Sequence, residues 1–168
     1  MAREASARQV RAAAANVSSM EVRAALIAFV RDFGLLSRDR TPCGKDLPIS
    51  HAHALMYLFT VSEPVSQRAL CSQLGIDKSN VARLCSKLEQ DGHLVQRADP
   101  EDGRAVRISL TSKGRVLALQ LERSSRARFE RVLAELPPST HRRILDTLQD
   151  LTAAVRRVNT SPNAEDEA

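Results

Sequence analysis

Between Val65 and Arg115 the chain reads VSQRALCSQLGIDKSNVARLCSKLEQDGHLVQRADPEDGRAVRISLTSKGR, and the punctuation of this stretch leaves few folds open. Ser66 is suited to cap a short helix, and Gly75 to end it in the left-handed region. Asp77 is placed to cap a second helix, in which Val81, Leu84, Cys85 and Leu88 recur at the spacing of one buried stripe. The opposite face of that helix carries Ser79, Asn80, Arg83 and Lys87. Asp91-Gly92 makes the next turn, and Leu94 to Arg97 alternates apolar and polar as a half-buried strand does. Ala98 to Arg104 is a charged tip with Pro100 and Gly103. Val106, Ile108 and Leu110 alternate on the return strand, and Thr111 is placed to cap a further helix. The order is helix, turn, helix and two-stranded wing.

Helix pairs and charged hairpins are each common surface features. Their ordered combination points to nucleic acid. From Lys78 to Leu88 there are three basic residues and no acid. A short helix with one greasy face and one face of Ser, Asn, Arg and Lys fits a major groove, where Arg can pair with guanine or backbone oxygens. The candidate DNA contacts are Ser66, Lys78, Ser79, Asn80, Arg83 and Lys87, with Arg104 and Arg107 from the wing. Asp99 and Asp102 are candidates for stabilising the wing.

LGIDKSNVARLCSKLEQDGHLVQRADPEDGRAVRISLTSKG resembles the helix-turn-helix and wing of the MarR family of bacterial transcription regulators. DPEDGRAVRISLTSKG is its most specific part, and a weaker similarity runs from about Leu47 through the last long helix. The resemblance implies a homodimer that binds a pseudo-palindromic operator in double-stranded DNA, usually as a repressor, and releases it on meeting a small molecule, oxidant or metal. The family's wing aspartate and arginine are kept here as Asp102 and Arg104. Gly103 stands where the family often has a charged residue.

The rest of the chain agrees with a mainly helical protein of about six helices with a two-stranded wing, dimerising through its N- and C-terminal helices. At 168 residues the chain can bury one sizeable core. Aromatic residues are only 3% against 43% apolar overall, which favours an aliphatic helical core over a sandwich. The net charge of +5 suits a polyanionic partner, and the preference for Arg over Lys suggests a GC-rich bacterial genome. No apolar run reaches membrane-spanning length and no secretory leader is evident, so a cytoplasmic protein with no membrane partner is expected.

Residues 1–18 read as a flexible or helical N-terminal arm, rich in Ala and Arg with little to bury. Residues 19–46 hold an amphipathic helix, with Val22, Leu26, Phe29, Val30, Phe33 and Leu36 on one face, and the loop SRDRTPCGKDLP. Residues 47–115 form the DNA-binding lobe, its first helix capped by Ser50. Residues 116–158 belong to two long helices broken at Pro137-Pro138, with Ser139 as the second cap. Ile144, Leu148, Leu151, Val155 and Val158 repeat as a heptad seam there. Such seams can pair within one chain or across a two-fold axis. Residues 159–168 are a polar, acidic tail expected to be disordered.

Catalytic motifs are missing: there is no phosphate loop, HExxH or GxSxG, and no enzyme or cofactor is expected. His51 and His53 would stand about 200° apart on a helix, too far round to share one metal, and no metal site is expected. A surface or capping role suits His51, and a partly packed one His53. Cys71 and Cys85 fall on apolar stripes and read as packing. Cys43 lies among Arg38, Arg40 and Lys45, whose charge would favour a thiolate, so a redox role stands beside that of an ordinary loop cysteine. The resemblance implies an effector cavity, for which Phe33, His53, Met56 and Tyr57 are the candidate residues and aromatic carboxylates or phenols the ligand class. Plain core packing is the competing reading of these four. A winged helix serving as a protein-interaction module is the alternative to operator binding.

Overall fold

The computed structural model describes residues 17–100 and 105–160. In chain order it contains α1 (Ser19–Phe33), α2 (Ile49–Thr60), β1 (Val65–Ser66), α3 (Gln67–Leu74), α4 (Lys78–Gln90), β2 (Leu94–Ala98), β3 (Val106–Leu110), α5 (Ser112–Ala134) and α6 (Pro138–Thr160). The architecture is mainly helical with a small antiparallel sheet. Contacts divide the chain into two units, Met1–Glu122 and Arg123–Ala168, with the boundary inside α5. The expected N-terminal arm lies almost wholly outside the described residues, as do the wing tip and all of the acidic tail beyond Thr160.

Local chemistry sets most boundaries. Ser18 and Glu21 form a reciprocal capping box at the start of α1, and Gly34, at φ +86°, ends the helix well before Ser37. Ser66 caps α3 and Gly75 closes it at φ +65°. Thr111 caps α5 by accepting from the Gly114 amide at 3.0 Å. Two expected caps are corrected. Pro48 holds the N-cap position of α2 and its carbonyl accepts from the Ala52 amide at 3.0 Å, so Ser50 is already inside the helix. At α6 the Pro137 carbonyl accepts from the Thr140 amide, Pro138 is the first helical residue, and Ser139 caps nothing. The helix also continues through Asn159 and Thr160, two residues into the expected tail.

The wing has a third strand that the alternation pattern did not disclose. β1 pairs antiparallel with β3 (Val65 opposite Ile108), and β3 pairs with β2 (Gln96 opposite Ile108), giving the order β1-β3-β2. Within the first unit one core joins Leu55 and Leu58 of α2, Leu70 of α3, Val81, Leu84, Cys85 and Leu88 of α4, Leu94, Ile108 and Leu110 of the sheet, and Ala118 and Leu121 of α5. The apolar stripe of α4 is thereby driven inward, and its polar face is left outward. Burial pushes the Cys85 thiol up to about 11, as expected for inert packing. Cys71 is only half-buried against this core.

The flanking helices are different. Every large apolar side chain that is exposed among the described residues lies in 17–36 or 116–158. These include Leu26 and Phe29 on α1, and Leu148, Leu151, Val155 and Val158 of the heptad seam on α6. No helix among the described residues is long and apolar enough to cross a membrane.

Candidate nucleic-acid interface

α4 presents Ser79, Asn80, Arg83 and Lys87 to solvent on one face opposite its buried stripe, with Lys78 exposed in its first turn. The face is organised by its cap. Asp77 accepts from the Asn80 amide at 2.9 Å and the Ser79 hydroxyl at 2.7 Å, and Asn80 Nδ2 also donates to it. The Ser79 hydroxyl bond and the Asn80 amide bond stabilise the carboxylate and lower the Asp77 pKa to about 2. Asn80 Oδ1 then accepts from Arg83 Nη2 at 2.7 Å. Asp77, Asn80 and Arg83 form a ladder up one side of the helix, which holds the guanidinium out by a neutral partner. Lys87 donates to Asp91 at 3.0 Å, a bond that is the first cause of the lowered Asp91 pKa.

The wing is joined to this helix by a clamp on which sequence reasoning was silent. Glu89 of α4 accepts from both the backbone amide and the side-chain amide of Gln96 on β2, each at 2.8 Å. An amide on the outer edge of the sheet is thus satisfied by the helix it lies beside. A Glu seven residues from a Gln, across a turn, has no periodic signature. Only the folded arrangement pairs them.

The candidate residues fall into separate groups. Arg107, expected to touch DNA, is engaged inside the wing: Nε donates to the buried Asp99 carboxylate at 2.5 Å and Nη1 to the Pro64 carbonyl at 3.4 Å. Asp99 also donates its amide to the Ala105 carbonyl at 2.9 Å, closing the base of the hairpin. Asp102 and Arg104 lie outside the described residues. The Ser66 hydroxyl accepts from the Ala69 amide at 3.1 Å, and Ser66 itself pairs with Arg107 across β1 and β3.

Of the effector candidates, Met56 and Tyr57 are half-buried against the core, His53 is exposed, and Phe33 stacks on Phe29 with ring centroids 5.3 Å apart. The two α2 histidines exchange their expected environments: His51 is the half-buried one and His53 faces solvent. Cys43 is half-buried in a loop tied by Thr41, whose hydroxyl lies 3.1 Å from the sulfur and accepts from the Lys45 amide at 3.0 Å.

Comparison with known proteins bears on this arrangement. Residues 45–105 match the model of the MarR family. The fold is shared with the PcaV transcriptional regulator of Streptomyces coelicolor, at TM-score 0.61 and 23% identity over 84% of this chain and 98% of that one. PcaV has also been solved with its natural ligand. A MarR-family regulator from Rhodococcus sp. RHA1 gives TM-score 0.64 and 24% identity, covering 81% of this chain and 96% of the other. Streptococcus pneumoniae FabT, solved in complex with DNA, gives 0.61 and 21%, covering 83% and 92%. The sequence has no match among curated proteins.

Proposed function

We propose that this chain, a MarR-family protein over residues 45–105 with the winged-helix fold of transcription regulators, acts as a homodimeric, operator-specific repressor in the cytoplasm. The observation that carries the reading is the exposed face of α4, where Lys78, Ser79, Asn80, Arg83 and Lys87 stand together on a helix clamped to the wing. FabT, which shares the fold, was solved on DNA. In this reading Asn80 and Arg83 approach base edges, Lys78, Ser79 and Ser66 approach phosphates, and Arg104 enters the adjacent minor groove. Arg107 acts indirectly, by holding Asp99 and the hairpin base.

The dimer follows from the apolar side chains that the flanking helices leave exposed. A heptad seam with Leu148 at 52% and Val155 at 50% exposure is costly in water unless a second copy covers it. The effector is an aromatic carboxylate or phenol, with Phe33, His53, Met56 and Tyr57 as the residues to test. PcaV, which was solved with a natural ligand, supports a small-molecule signal in general. An electrophoretic mobility shift with the DNA upstream of the chain's own coding sequence tests the central statement. A shift that competitor DNA of unrelated sequence does not abolish supports the operator reading. No shift with any duplex overturns it in favour of a protein-interaction module.

A further inference from the structure

A cleft of about 400 Å³ lies between the first turn of α2 and the flank of α4, sharing Asn80, Arg83 and Lys87 with the face described above. Its α2 wall is Ser50 and His51, with the hydroxyl 3.4 Å from the imidazole Nδ1. Its α4 wall is Asn80, Arg83 and Lys87, residues three or four apart that share one side of the helix. Ile76 and Leu84 supply an apolar floor. Two cations line the cleft. Arg83 is hydrogen-bonded to a neutral amide, and Lys87 pairs with Asp91 while staying 61% exposed.

We propose that this cleft seats one sugar–phosphate unit of the DNA backbone, the phosphate between His51, Ser50 and Lys87 and the deoxyribose against Ile76 and Leu84. The proposal rests on the operator-binding reading and adds two residues of α2 that nothing so far assigns. Three features favour a polymer backbone. The cleft borders the face of α4 that would enter the major groove, and the strand flanking that groove must pass beside the helix. It is larger than a phosphate needs and has an apolar floor, which a sugar uses and a bare ion does not. It is also more open than enclosed, whereas sites for small ligands enclose most of the ligand surface. Burial lowers the His51 pKa in the free chain, and in either protonation form the ring keeps an N–H that can donate to a phosphate oxygen. Lys87 supplies the charge by exchanging Asp91 for the phosphate.

The test is a chemical double-mutant cycle on the full chain. A bound duplex is first identified by mobility shift. Versions carrying a single uncharged methylphosphonate, walked along each strand, are then titrated by fluorescence anisotropy. The unmodified protein is expected to lose affinity about three- to tenfold at one backbone position per half-site, beyond that position's effect in its neighbours. His51→Ala should weaken binding to natural DNA and show a clearly smaller further loss at that position than the unmodified protein does, the remainder coming from Lys87. His51→Gln, which keeps an N–H donor, should retain the discrimination. If His51→Ala fails to fold, Lys87→Gln gives the same cycle. Losses that add at every position overturn the backbone seat while leaving operator binding intact. Displacement of DNA by benzoate that His51→Ala abolishes, together with additive methylphosphonate losses, would assign the cleft to a small acid and also overturn it. If the unmodified protein shifts no duplex at all, the operator reading fails and the seat falls with it.

Discussion

Gly114 offers a sharp test of how the DNA-reading lobe is held. A Cβ built there would stand 1.8 Å from the carbonyl oxygen of His93 and 2.8 Å from its carbon. An ordinary carbon–oxygen contact is about 3.3 Å, so α5 must retreat from the start of β2 by about 1.5 Å. The carbonyl cannot yield instead, because it accepts from the Thr111 amide at 3.1 Å and the Thr111 hydroxyl at 3.2 Å. The same hydroxyl donates to the Gly92 carbonyl at 2.7 Å. Retreat of α5 breaks the amide bond and the bond of the single hydroxyl proton shared between the two carbonyls, each contributing about 1 kcal/mol. It also displaces Ala118 and Leu121 from the core at about 1–3 kcal/mol. The better helix propensity of Ala returns about 1 kcal/mol. Gly114→Ala should therefore destabilise the lobe by about 2–4 kcal/mol, out of the roughly 5–15 kcal/mol typical of a domain. Urea unfolding followed by circular dichroism measures this directly. Gly34→Ala is the control: its φ of +86° is strained for Ala but nothing lies within 4 Å, so about 1–2 kcal/mol is expected. A loss below about 1 kcal/mol for Gly114→Ala, or the reverse order of the two variants, refutes the argument.

The Asp77 cap sets a pH dependence. A carboxylate whose folded pKa is depressed stabilises the fold above its ordinary value of 3.8 and loses that contribution as pH falls through about 2. NMR shifts of Asn80 and Arg83 should hold steady through pH 3.8 and titrate with a midpoint near the folded pKa of about 2, whereas Asp77→Ala should abolish that titration. Leu148→Asp with Leu151→Asp should give monomers or unfolded chain by analytical ultracentrifugation, since an unpaired charge would be buried in the seam; a monomeric unmodified protein at micromolar concentration would refute the dimer. Peroxide should weaken operator binding in the unmodified protein and spare Cys43→Ser if the thiol is a switch; equal sensitivity excludes it. Arg83→Ala should cost about 1–3 kcal/mol per half-site and relax preference at particular base pairs, while Arg104→Ala should lose affinity more evenly across operator variants with a shallower salt dependence. A titration over a small operator library at two salt concentrations reads both, and a neutral Arg83→Ala would remove α4 from the groove.

The sequence disclosed what is encoded within a few residues. The cap of α4 at Asp77, its inward stripe and its outward face all depend on neighbours at most one turn or so apart, and all were legible. β1 was not, because two residues become a strand only by pairing with Ile108 and Arg107, more than forty positions away. Arg107 had the right charge for DNA, but its partner Asp99 and the Pro64 carbonyl are neighbours only after the hairpin closes. Ser50 and Ser139 were plausible caps by type. Each comes after a proline that sets the helix start, Pro48 as the N-cap of α2 and Pro138 as the first residue of α6, so the competing signal was present and outweighed the serine.

The two classes of helix differ in what they leave exposed. Residues 37–115 leave no large apolar side chain exposed among those described, so that lobe satisfies its own burial and can carry a polar face to a partner. Residues 17–36 and 116–158 do not, with Leu36 at 67% and Val158 at 69% exposure. Burying such chains is worth about 25 cal/mol for each Å² removed from water, a driving force the first lobe has already spent internally. A second copy placed on the flanking helices would use it. The same contact would fix the distance between two α4 faces, and that distance sets the half-site spacing an operator must have. In the proposed dimer, self-association and sequence reading would be coupled by geometry. A variant that dissociates the chain should lose operator binding even with every residue of α4 unchanged.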